Sequence, residues 1–125
     1  MIVSLLAEMG PTILLSSDLD RTILPNGEPP ESPQARPRLR QLAARPEVML
    51  AYVSGRHQGL LRDAIDQYAI PKPDYAIGDV GTTIYEIDGS QWRPLAEWSA
   101  AIASDWAYAR HADLAALFGD LERGT

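Results

Sequence analysis

Apolar residues in this chain fall into short continuous runs separated by stretches of helical spacing. The first run, Thr12-Ile13-Leu14-Leu15-Ser16-Ser17, ends in Asp18-Leu19-Asp20-Arg21-Thr22. It predicts a buried β-strand whose C-terminal end delivers two carboxylates into a crevice. Leu24–Pro37 contains Pro25, Pro29, Pro30, Pro33 and Pro37 together with Asn26-Gly27, which predicts a loop for most of its length. Ser32 offers an N-cap with Pro33 at the first helical position, and Ala35, Leu39, Leu42 and Ala43 recur at helical spacing toward Arg45-Pro46. Pro37 falls early enough to be tolerated in the first turn, and Arg36, Arg38, Arg40 and Arg45 are expected on the solvated side.

Val48-Met49-Leu50-Ala51-Tyr52-Val53 is the second strand, stopping at Ser54-Gly55-Arg56. A helix with the double stripe Leu60/Ala64/Tyr68 and Leu61/Ile65/Ala69 follows and ends at Ile70-Pro71-Lys72-Pro73, so strand, helix and strand form a parallel β-α-β unit. The third strand, Asp74–Gly78, leads through Asp79-Val80-Gly81 into residues 82–87. Asp88-Gly89 is a hairpin-turn dipeptide before Gln91-Trp92-Arg93. Beyond it, Leu95, Trp98, Ile102, Trp106 and Ala109 form one helical stripe and Leu114, Leu117, Phe118 and Leu121 another, both read as core packing.

Composition narrows the class. With 125 residues and 46% hydrophobic content the chain suits one soluble domain with one core. A formal charge of -6 without a Lys/Arg run argues against nucleic acid as a partner, while leaving small anions able to bind locally. The absence of cysteine excludes disulfides and thiolate metal sites. Met1–Ala7 is apolar, but it lacks a basic leader and is too short to span a bilayer. Residues 1–11 are therefore expected to be an N-terminal arm, no membrane partner is expected, and the default localisation is cytoplasmic.

Two stretches carry candidate chemistry. Asp18 and Asp20, spaced i, i+2, lie on one side of an extended backbone, close enough to share a divalent cation, with Thr22 available to orient one of them. Taken alone, Asp-x-Asp serves equally as a polar strand-to-loop turn. Ser54 and Gly55 open a helix after a parallel strand and offer a hydroxyl, bare backbone amides and the positive end of the helix dipole to a phosphate. Taken alone, they also read as a tight turn, and it is the pairing with Asp18 and Asp20 that favours a functional site. His57 and His111 do not form a metal-ligand pattern and read as surface or capping residues. No P-loop or Gly-x-Ser-x-Gly pattern occurs.

Asp18-Leu19-Asp20-Arg21-Thr22 after an apolar strand resembles the first motif, Asp-x-Asp-x-Thr, of the haloacid dehalogenase (HAD) superfamily of phosphohydrolases, and Ser54 after a second strand resembles its second motif. Leu50-Ala51-Tyr52-Val53-Ser54-Gly55-Arg56, Pro73-Asp74-Tyr75-Ala76-Ile77 and Gly81-Thr82-Thr83-Ile84-Tyr85 resemble, more narrowly, its sucrose-phosphate phosphatase group, which is close to the trehalose-phosphate and mannosyl-phosphoglycerate phosphatases. The resemblance implies an α/β fold: a HAD-like Rossmannoid core with a parallel sheet, a β-hairpin flap and the start of an inserted α+β cap. It implies Asp18 as the nucleophile forming an aspartyl-phosphate and Asp20 as the acid that protonates the leaving sugar oxygen and then activates water. Ser54, Gly55 and Leu19 would bind the phosphoryl group, with Thr22 and Arg56 in support. Mg2+ would be held by the Asp18 carboxylate and the Asp20 backbone carbonyl. The implied substrate is a small-molecule sugar phosphate, acted on through in-line phosphoryl transfer.

The family's third-motif lysine and fourth-motif acidic pair have no convincing match. Lys72, the one lysine, lies in a Pro-Lys-Pro linker and reads as exposed, while Gly78-Asp79 and Gly119-Asp120 only imitate the fourth motif. Arg21 replaces the glycine or asparagine common at its place. The expected organisation is thus the arm, a partial core over residues 12–94 and a helical segment over 95–125 at the start of the cap. This N-terminal half would expose a strand edge and apolar surface and would self-associate or need its missing C-terminal half. The competing classes are a receiver-type phosphoacceptor module using Asp79 and a HAD-like interaction domain without catalysis.

Overall fold

The computed structural model describes residues 10–27 and 30–121. The N-terminal arm therefore lies almost wholly outside the described residues. Five strands make one mixed sheet in sequence order: β1 (Ile13–Asp18), β2 (Val48–Val53), β3 (Tyr75–Gly78), β4 (Thr83–Asp88) and β5 (Gln91–Pro94). Helix α1 (Ala35–Ala43) links β1 to β2, and α2 (Gln58–Gln67) links β2 to β3. Helices α3 (Ala96–Asp105) and α4 (His111–Leu117) follow the last strand. The first three strands are parallel, and β4 and β5 return antiparallel as the expected hairpin flap. Asp88 pairs with Gln91, so the turn residues are Gly89 and Ser90, one position later than the dipeptide suggests. Gly89 supplies the positive φ of 59°.

The register sets the geometry of the site. Asp18 stands opposite Val53, and Val53 opposite Ile77, so the C-terminal ends of β1, β2 and β3 are level and share one rim of the sheet. The β-branched and aromatic content of β2 suits its central place, and Leu50, Ala51 and Tyr52 are buried. Leu61, Ala64 and Ile65 of α2 pack with Leu50, Tyr52, Ala76 and Tyr85 in one core cluster. Burying a leucine side chain of this kind contributes about 1.5–3 kcal/mol. The Tyr52 hydroxyl donates to the Pro71 carbonyl at 2.7 Å, and burial pushes its pKa far above the ordinary tyrosine value, so it stays a donor.

Three local expectations are corrected. β1 is a strand, but an edge strand: it pairs with β2 alone among the described residues, and Ile13 and Leu14 are exposed instead of buried. Helix α1 begins at Ala35, two residues later than expected, with Gln34 at the N-cap. Ser32 only receives the Gln34 amide at 3.4 Å, and Pro37 is tolerated in the first turn. Nor do all its arginines simply face water. Arg36 donates to the Tyr68 carbonyl and stacks on the Tyr68 ring at 5.8 Å, and Arg40 donates to the Ala69 carbonyl at 2.8 Å. The last carbonyls of a helix lack donors of their own, and these two cations supply them at the end of α2.

The largest departure concerns α3 and α4, which bury none of their residues. Trp106, Leu117, Phe118 and Leu121 are exposed, and the segment is tied back by the Leu95 amide donating to the Ile84 carbonyl of β4 at 2.8 Å and by the Trp98 indole N–H donating to the Gly81 carbonyl at 3.1 Å. Lys72 is exposed, as expected. No helix of the described residues is long and apolar enough to cross a membrane.

Candidate active site

Residues 19–24 form a tight turn hung on two buried leucines. The amides of Thr22, Ile23 and Leu24 all reach the Leu19 carbonyl, and Leu19 and Leu24 are both almost fully buried beneath it. With Leu19 pointing into the core, alternation along the chain turns Asp18 and Asp20 outward. Arg21 sits at φ 61°, in the left-handed region, and its amide is held by the Leu24 carbonyl at 3.0 Å. A glycine or asparagine is the natural occupant of such a position. An arginine there carries about 1–2 kcal/mol of local strain and removes no catalytic atom.

Asp18 and Asp20 differ sharply in their surroundings. The Asp18 side chain is exposed, and its Oδ1 accepts the Leu19 amide at 2.8 Å. Among the described residues it forms no ion pair. Asp20 is gripped: Arg56 Nε donates to Oδ2 at 3.1 Å, Arg56 Nη2 to Oδ1 at 2.7 Å, and Asn26 Nδ2 to Oδ1 at 2.6 Å. The Arg56 guanidinium first, and then Asn26, hold the Asp20 carboxyl below its ordinary value, and it is ionised.

The second strand end is organised by its own loop. Ser54 is buried, its amide bonds the Ile77 carbonyl at 2.9 Å and its Oγ accepts the Arg56 amide at 3.1 Å. A Cβ built on Gly55 would meet nothing within 4 Å, so the surface above it is open. His57 is the N-cap of α2, as its reading as a capping residue anticipates. Its Nδ1 accepts the amides of Gly59 at 3.1 Å and Leu60 at 3.4 Å. This corrects the expectation of wholly bare amides at the helix start, because the Arg56, Gly59 and Leu60 amides already have acceptors within the chain. The Leu19 amide is likewise taken by Asp18. Thr22 bonds through its backbone, and its hydroxyl reaches neither carboxylate among the described residues.

The loops after β1 and β2 meet at the rim through a contact that pattern along the chain does not predict. Arg56 after β2 reaches across to Asp20 after β1 and fastens the two loops together. Asn26 belongs to the proline-rich loop, and its bond to Asp20 depends on how that loop folds back. Gly78 also matters: a Cβ there would lie 2.9 Å from the Arg56 carbonyl oxygen and 2.9 Å from Leu61 Cδ1, so only glycine lets β3 end against the Arg56 loop. Neither contact leaves a mark at sequence level, since one depends on how the proline-rich loop folds back and the other on how β3 ends against a loop more than twenty residues earlier.

Asp79 does not present a free carboxylate. It accepts the Tyr85 hydroxyl at 3.1 Å, and burial first and that bond second raise the Tyr85 pKa. Among the described residues no three acids or histidines cluster as a metal site. The Asp18 carboxylate and the Asp20 backbone carbonyl, which the resemblance implies as ligands, are hard oxygens of the kind that suits magnesium. They are too few for six-fold coordination without water or substrate oxygens. Beside Asp20, a hollow of about 470 Å3 opens between the 19–24 turn and the proline-rich loop, lined by Arg21, Thr22, Pro25, Asn26, Glu31 and Ala35.

The chain is similar to several known proteins. A HAD-like hydrolase of Nitrosococcus oceani is 60% identical over 109 residues, covering 87% of this chain and 29% of that protein. A glucosylglycerol-phosphate synthase of Pseudomonas anguilliseptica is 35% identical over 95 residues, covering 75% of this chain and 12% of the synthase. The sucrose-phosphatase of Synechocystis, solved in complex with sucrose and phosphate, superposes with a TM-score of 0.65 at 26% identity, over 90% of this chain and 41% of that structure. The chain thus spans under a third of the curated relatives it matches. The profile of the Sucrose-6F-phosphate phosphohydrolase family matches residues 11–124, nearly the whole sequence, and with the HAD-type motifs standing together on one rim, the chain belongs to that family.

Proposed function

We propose that this chain carries the nucleophile-bearing part of a phosphatase acting on a sugar phosphate of the sucrose-phosphate kind. The observation that carries the reading is the contrast at the rim: an exposed, unclamped Asp18 beside an Asp20 fixed by Arg56 and Asn26. An Asp18 oxygen attacks phosphorus, the phosphorus–oxygen ester bond breaks, and the sugar oxygen takes a proton from Asp20, which rests ionised and first picks that proton up from solvent. Water then attacks the aspartyl-phosphate, gives its proton to Asp20 and releases inorganic phosphate. The ionised Asp20 described above is the form that this second step uses.

Ser54 and the Gly55 amide would steady the phosphoryl oxygens, joined by the Leu19 amide once Asp18 turns from it toward the substrate. The Asp18 carboxylate and the Asp20 carbonyl would hold Mg2+, whose charge offsets the repulsion between a carboxylate and an anionic phosphate. The hollow next to the 19–24 turn is of a size that takes a small ligand, and Arg21, Thr22, Asn26 and Glu31 give its mixed lining polar groups for a sugar. Residues 95–125 are proposed as the start of a cap that follows the partial core of residues 12–94. The exposed outer edge of β1 supports the association of this part with further protein.

The test is phosphate release by the full-length protein from sucrose 6-phosphate and from glucosylglycerol phosphate, with and without magnesium. Asp18→Asn is expected to lower turnover by about 10³-fold or more while the fold persists. Turnover that survives this substitution would sink the proposal.

A further inference from the structure

Arg56 is the cation that the structure places against the acid pair, and both ends of its contact are built to be rigid. On its own side, the Arg56 amide is tied to Ser54 Oγ at 3.1 Å, and its carbonyl receives the Asp79 amide at 2.9 Å. Gly78 lets that carbonyl sit within 2.9 Å of where a side chain would otherwise begin. On the other side, Asp20 is held by the turn hung on Leu19 and Leu24 and by Asn26. Between them the guanidinium meets both carboxylate oxygens, at 3.1 and 2.7 Å, with the arginine side chain 27% exposed.

We infer that Arg56 is a positioning residue, which sets the direction of the Asp20 carboxylate and does not itself bind the phosphate. The inference rests on the phosphatase reading above and adds to it. Two parallel donors fix both the place and the plane of a carboxylate, which one ammonium or hydroxyl does not. With its side face already given to Asp20, Arg56 has its fork committed, whereas Asp18, two residues earlier, makes no ion pair among the described residues. A phosphate-binding arginine would be expected to leave its fork open toward the nucleophile.

The experiment is a double-mutant cycle in the full-length protein, with p-nitrophenyl phosphate as substrate and inorganic phosphate as competitor. Arg56→Ala is expected to lower kcat by about 10–100-fold, with KM and the phosphate inhibition constant changed by less than about three-fold. In an Asp20→Asn background the same substitution is expected to change kcat by less than about three-fold, because the group that it positions is already gone. Arg56→Lys keeps the charge without the fork, and it is expected to recover only part of the lost turnover, which guards against an effect of misfolding. Multiplicative losses in the two backgrounds, or a rise in KM and in the phosphate inhibition constant with kcat unchanged, would overturn the inference and leave the phosphatase reading standing. An unmodified protein that releases no phosphate would overturn both.

Discussion

Residues 13–94 and residues 95–121 use similar side chains to opposite effect. In the first, Leu50, Tyr52, Leu61 and Ala76 disappear into one cluster, and the strand ends above them hold Asp18, Asp20, Ser54 and Arg56 in a defined array. In the second, Trp106 and Tyr108 between two short helices, and Leu117 and Phe118 at the end of the second, stand open to solvent, in a segment tied back through the Leu95 amide and Trp98. Helical spacing of apolar residues states which side of a helix is oily; it does not state what covers that side. The strand-end site inherits its precision from the packed sheet beneath it, and the helical segment has no such support.

The comparison is broken most severely by removing a side chain from under the rim. Leu61 is fully buried on α2 and touches both the core and the space beside Gly78. Leu61→Ala is expected to destabilise the chain by about 2–5 kcal/mol through lost burial and the cavity left behind. Urea unfolding followed by circular dichroism measures this, and a loss under about 1 kcal/mol would mean that the core as described is not the stabilising unit.

Gly78→Ala is the next largest. Its Cβ would meet the Arg56 carbonyl and Leu61 Cδ1, both at 2.9 Å, and the first is backbone that cannot swing aside. An expected cost of about 1–3 kcal/mol comes with a displaced Arg56 loop, so activity should fall along with stability. Full activity at reduced stability would show that β3 does not brace the site.

Most of the scaffold is legible in the amino-acid order because it is local. The runs at residues 12–18 and 48–53, the amphipathic α2 and the turn near Gly89 follow from periodicity and turn chemistry within windows of about ten residues. Asp18, Asp20 and Ser54 are legible because they stand at the ends of those runs. What was not legible depends on distance along the chain: Arg56 reaching Asp20 across 36 positions, Arg36 reaching the end of α2, Gly78 giving room to Arg56. Thr22, His57 and the amides of Gly59 and Leu60 show the converse. Their types suit a phosphate site, yet their hydrogen bonds are spent on the local turn and cap. Whether β1 is central or at an edge also lay beyond pattern, because a continuous apolar run looks the same in both places.

Val80 allows the rim to be strengthened instead of broken. It follows Asp79 at φ 51°, stands at φ 58° itself and is 84% exposed, so a β-branched side chain occupies a left-handed conformation and returns no burial. Val80→Gly is expected to leave stability unchanged or raise it by up to about 1 kcal/mol, since relief of the strain outweighs the added flexibility of the unfolded chain. A loss above about 1 kcal/mol would show a contact of Val80 that the exposed position conceals.

The smallest expected effect belongs to the other side of the comparison. Phe118 follows α4 with 60% of its surface exposed, and among the described residues it lies outside the buried core cluster, so its removal would open no core cavity there. Phe118→Ser should therefore change the unfolding free energy by less than about 0.5 kcal/mol, the range of surface substitutions. The same aromatic truncation in the core costs about 3–5 kcal/mol, so a single urea titration separates the two cases. A core-sized loss at Phe118 would mean that α4 folds onto the sheet in solution and that the contrast between the two regions is false. A negligible loss would mean that its apolar face contributes nothing to the stability of this chain by itself.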